Sequence, residues 1–146
     1  MTLLFFMQVN SVSAFNFDSD FILKRDTKKV AVLISDSATG GCWTNLIESK
    51  KYAEDKLTLS GVNVVDEKIV PFATEKSYTF QIFVQALRWN NFCFGQIRIS
   101  MLTYTYIDER FHQALIYDGA YTATAMPTNL NNDVLEVLGR AFKMLK

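Results

Sequence analysis

This chain of 146 residues carries two cysteines and a single histidine. Cys42 stands in "SDSATGGCWTN" (35–45), between an apolar run and what reads as a helix start. Unpaired backbone N–H groups at a helix N-terminus favour the thiolate and lower a thiol's pKa. His112, in "RFHQALIYDG", is the one imidazole able to serve as its base, with Asn131 or Asp118 as the group that orients the ring. That constellation would be a small cysteine hydrolase. The competing chemistry is a disulfide between Cys42 and Cys93, the latter in "NNFCFG" (90–95). Two distant cysteines and one histidine show none of the close ligand pairs of a zinc site, so no metal is expected. "ATGG" lacks both the Lys-Ser/Thr of a P-loop and the GxGxxG of a dinucleotide loop, and no cofactor is expected either. Asp36 and the pair Asp108-Glu109 read as solvated loop acids.

The elements that must position these residues follow from hydrophobic periodicity. "KKVAVLISD" (28–36) is a nearly continuous apolar run, the pattern of a strand buried on both faces. A helix is predicted over about 43–60, with Trp43, Leu46, Ile47, Ala53 and Leu57 at helical spacing and Ser60-Gly61 as its stop. "VNVVDE" (62–67) is a second strand, so strand, helix and strand form a right-handed parallel crossover. Strict alternation over 77–89 and 95–107 predicts long antiparallel strands, joined by the turn "NNFCFG". A further strand is predicted over 111–119, and an amphipathic helix over about 131–145. The expected architecture is α/β (α+β): a mixed sheet of about five strands, two helices on one face, order β-α-β-β-β-β-α. If the first three strands run parallel, the end of the first and the turn after the third share one edge of the sheet. Cys42 and Cys93 sit at those two places, which favours the disulfide. Trp89, Phe92 and Phe94, with Tyr104 and Tyr106 nearby, form a candidate interaction surface, against packing at a hairpin end.

"KKVAVLISD", "YAEDKLTLSGVNVVDE" and "YTFQIFVQA" together resemble a group of bacterial envelope domains: the amino-terminal domain of TolB, the curli secretion lipoprotein CsgG, and lipoprotein activators of penicillin-binding proteins. The resemblance covers roughly 28–107 and implies an assembly or interaction module rather than an enzyme. In that group a second helix separates strands two and three; here "EKIVPFATEK" takes its place. "GCW" resembles the papain-like nucleophile, and "RFHQALIYDG" the histidine strand of NlpC/P60 peptidases, which would imply action on cell-wall peptides. The "DCSG"-type and "PGDL" motifs of the latter are absent.

Composition narrows the field further. With 49% hydrophobic and 14% aromatic residues, a packed core is expected, and residues 28–146 read as a single domain. Fifteen basic residues balance fifteen acidic ones, so no net field draws nucleic acid or an anionic membrane. Residues 1–14, "MTLLFFMQVNSVSA", read as an export signal with cleavage after Ala14, and 15–27 as a connector. No stretch reaches the length of a membrane-spanning helix. The expectation is a periplasmic or secreted, non-enzymatic module with an envelope protein partner; the alternative is the Cys42–His112 hydrolase. An edge strand that pairs with a partner's strand is a third possibility.

Overall fold

The computed structural model describes residues 29–69 and 77–144; the expected export signal and connector lie outside them. In chain order the elements are β1 (Lys29–Ala38), α1 (Leu46–Leu59), β2 (Asn63–Val64), β3 (Ser77–Trp89), β4 (Phe92–Ile107), β5 (Arg110–Pro127) and α2 (Asn131–Met144). The sheet order is β2-β1-β3-β4-β5. β1 runs parallel to β2 and β3, while β3–β4 and β4–β5 are antiparallel. This is the expected five-stranded mixed sheet with its two helices.

Alternation sorts the strands into two faces. Val30 and Val32 of β1, Phe80, Ile82 and Val84 of β3, and Ile97, Ile99 and Met101 of β4 share the core face. Both helices pack there, α1 through Ala53 and Leu57, α2 through Val134, Leu138 and Phe142. The rings of Phe80 and Phe142 stack with centroids 5.2 Å apart, joining α2 to the middle of the sheet. Cutting Leu138, fully buried, to alanine would cost about 2–5 kcal/mol. Among the described residues no helix lies on the opposite face. A polar ladder crosses it instead: Gln81 Nε2 donates to Ser35 Oγ (2.8 Å), and Ser100 Oγ to Gln81 Oε1 (3.3 Å).

Several predicted boundaries shift for identifiable reasons. α1 begins at Leu46, not at 43, because residues 42–45 bond to the start of α2. Its inward stripe is Ser49, Ala53 and Leu57, and Ile47 is 87% exposed, contrary to expectation. Leu46 packs on the core, and Ile47 is one helical step, ~100°, away from it. β2 stops at Val64: after Val65 donates to Val30 C=O, the Asp66 carboxylate accepts from the Lys68 N–H and turns the chain. β4 starts at Phe92, so the β3–β4 turn shrinks to Asn90-Asn91, with Asn90 in the left-handed region (φ 53°). β5 continues to Pro127, because β4 supplies partners along its whole length.

Candidate functional site

The end of β3 overhangs the sheet. β1 pairs with β3 only as far as Ala38↔Ala86, so Leu87–Trp89 have β4 on one side and no strand on the other. The β4–β5 ladder is irregular at the same place, with a register shift between Cys93 and Gly95. This edge is flanked on one side only, by β4 with β5 behind it through Cys93↔Met126 and Phe92↔Pro127. Two devices support it.

The first is the disulfide. Cys42 and Cys93 are bonded, with Cα atoms 5.5 Å apart, and both side chains are fully buried. The bond ties the loop after β1 to the second residue of β4. Closing a loop of 51 residues is worth roughly 4 kcal/mol in the chain-entropy model. The second device is Arg88. Its guanidinium donates to the carbonyls of Gly40, Gly41 and Thr128, so one side chain gathers the β1–α1 loop and the chain leaving β5. Gly40 is required here twice over. Its φ is +63°, and a Cβ would lie 2.7 Å from the Arg88 Cβ. The loop is then sewn to α2: Leu130 N–H donates to Cys42 C=O (2.7 Å), Thr44 N–H to Asn131 Oδ1 (3.0 Å), and Asn131 Nδ2 to Thr44 Oγ1 (2.9 Å). Sequence reasoning did not find Arg88; its place opposite Cys93 in the β3–β4 register was the available signal.

Above this brace, on the face without helices, lie Leu87, Trp89, Phe92 and Phe94, paired across the two strands as Leu87↔Phe94 and Trp89↔Phe92. Leu87 is 56% exposed, Trp89 67% and Phe92 42%. The rings pack loosely on one another, Trp89 to Phe94 at 6.3 Å and Phe92 to Phe94 at 6.4 Å between centroids. Trp89, Phe92 and Phe94 are the residues singled out from sequence, and Leu87 was not; Trp89 and Phe92 are exposed and Phe94 is half-buried. Tyr104 does not join them. It sits toward the other end of β4, beyond the last pair with β3 at Thr103, as does the backbone of Tyr106. Further along the open face, Arg98 forks onto Asp118 (2.5 and 2.6 Å), and that hydrogen bond raises the guanidinium's pKa further above its ordinary value.

The hydrolase constellation is not assembled. Cys42 is in the disulfide and precedes α1 by the loop 43–45, so neither a free thiol nor a helix-start position is present. His112 pairs with Thr105 near the far end of the β4–β5 hairpin. From Cys93 to Thr105 is about twelve residues of strand, roughly 40 Å at ~3.3 Å per residue. Asp118 is held by Arg98 and Asn131 by Thr44, so neither orients an imidazole. Among the described residues there is no cluster of His, Cys, Asp and Glu able to hold a metal ion, and no helix is long and apolar enough to cross a membrane.

No protein-family model matches the chain. No curated protein matches its sequence. Among solved structures, a PelC dodecamer from Paraburkholderia phytofirmans is similar at a TM-score of 0.53 and 12% identity, covering 84% of this chain and 91% of that one. A second crystal form of the PelC dodecamer gives a TM-score of 0.42 at 13% identity, covering 82% and 88%. A minor lipoprotein from Acinetobacter baumannii gives 0.32 at 9% identity, covering 81% and 91%. None of these is TolB or CsgG. At 12% identity the likeness to PelC is one of fold: the same arrangement of sheet and helices carried by a different sequence.

Proposed function

We propose that the chain is an exported, non-enzymatic assembly module of the bacterial envelope, periplasmic or secreted, acting through protein–protein contacts at the β3–β4 tip. The observation that carries this reading is the tip itself: Leu87, Trp89 and Phe92 exposed together over a covalent brace. Aromatic anchors on a rigid support bind with little ordering cost, because few torsions remain to be fixed. The disulfide fits an oxidising compartment. PelC, which is like this chain in fold, forms a dodecamer, so further copies of this chain are among the partners considered.

The test is a photo-crosslinking residue placed at Phe92 in the full-length protein, with and without Trp89→Ala, in living cells. Reproducible capture of one envelope protein, or of a second copy, that Trp89→Ala abolishes is the expected result. A protein that remains monomeric by sedimentation and captures nothing reproducible would end the assembly reading.

A further inference from the structure

We propose that the Cys42–Cys93 bond conditions the tip: the aromatic surface takes up its binding geometry only in the oxidised chain, so a reduced copy, not yet exported, stays silent. The inference rests on the assembly reading above and says when its surface becomes available. The patch residues face away from both helices, so core packing does not fix them. Leu87–Trp89 lie past the end of β1, and the β4–β5 ladder slips between Cys93 and Gly95. Besides its pairing with β5 at Phe92↔Pro127 and Cys93↔Met126, what ties the tip to the rest of the molecule is the disulfide on the core side of β4, between Phe92 and Phe94 in sequence, and the Arg88 fork onto Gly40, Gly41 and Thr128. Thr128, one of the residues gripped, has φ +92°, a conformation a β-branched residue keeps only under external constraint. Without the bond, the loop carrying Gly40 and Gly41 loses its covalent tie, and Arg88 must hold it alone. Making the bond removes two electrons and two protons from the Cys42 and Cys93 thiols. A protein disulfide donor accepts both and leaves as a dithiol.

Hydrogen–deuterium exchange on the full chain, wild type against Cys42→Ala/Cys93→Ala, tests this. Exchange over 87–94 is expected to rise at least about tenfold through local opening that low urea does not accelerate, whereas 30–34 and 80–84 exchange only through global unfolding, at the rate the measured stability sets. Unchanged exchange at the tip, or the same increase everywhere, overturns the proposal, because the bond would then hold nothing local. Loss of the fold in that variant overturns it equally. Arg88→Met with the disulfide intact gives an independent reading: it should loosen the same residues to a smaller extent, and no change there also counts against the brace. If the tip loosens as expected but a crosslinker at Phe92 captures nothing from either form, the brace stands and the assembly reading falls.

Discussion

The sheet's two antiparallel hairpins share β4 yet are finished in opposite ways. At the β3–β4 end, a short turn with one left-handed residue, Asn90, is backed by a disulfide and a three-carbonyl arginine fork. At the β4–β5 end, Asp108 (φ 49°) and Glu109 (φ 62°) both adopt left-handed backbone, and neither is glycine. Residues 104–107 there pair only with 110–113, projecting roughly 13 Å beyond the last β3 pair at ~3.3 Å per residue. No disulfide reaches that arm, and Ile107 at its end is 54% exposed. One end is therefore held in place, and the other is an extended ribbon with a strained turn. Reinforcement is concentrated where the aromatic rings are.

The largest perturbation of this contrast is removal of the bond. Cys42→Ala/Cys93→Ala should lower the unfolding free energy by roughly 4 kcal/mol, read from urea midpoints, with the loss shared between global stability and the tip. Next is Gly40→Ala, which combines an unfavourable φ with a collision against Arg88. A loss of about 2 kcal/mol is expected, with thermal unfolding as the measurement. At the unbraced end the sign reverses. Asp108→Asn with Glu109→Gly supplies the residues a left-handed turn prefers and should stabilise the protein by about 1 kcal/mol; a neutral or lower melting temperature would contradict the strain argument.

The smallest effect is a pH dependence at the start of α2, the helix sewn to the braced loop. Burial, and then the neighbouring Glu136, raise the Asp133 carboxyl above its ordinary value, partly offset by Arg140. The folded state therefore binds this proton more tightly than the unfolded chain does. Stability falls as pH rises from the ordinary carboxylate range through the raised folded value, and is flat above it. Asp133→Asn should be more stable than wild type near neutrality, and the difference should shrink on acidification. A difference independent of pH would rule this out.

Much of this fold was legible because long strands declare themselves by alternation. The bounds of β3 coincide with the run 77–89, and once three strands were read as parallel, the cysteines fell at one edge. What stayed hidden depends on contacts between segments distant in sequence. Nothing local in "CWTN" says that Leu130 and Asn131 will occupy its hydrogen-bonding groups and delay the helix to Leu46. Arg88 looks like an ordinary exposed charge until the carbonyls of Gly40, Gly41 and Thr128 converge on it. Tyr104 seemed close to the patch because it is near in number, whereas an extended strand turns ten residues into about 33 Å.

The deep burial of the two sulfurs also constrains the order of events as the protein is made. Both cysteine side chains are fully buried, and Leu130, the residue before α2, donates its N–H to the Cys42 carbonyl. An oxidant protein does not reach a sulfur in that finished state, so the bond is expected to close before the core around the cysteines is complete. In a chain delivered from its N-terminus, residue 93 emerges well ahead of residue 130, which leaves an interval in which both thiols can be reached. A chain that packs before oxidation would bury unreacted thiols.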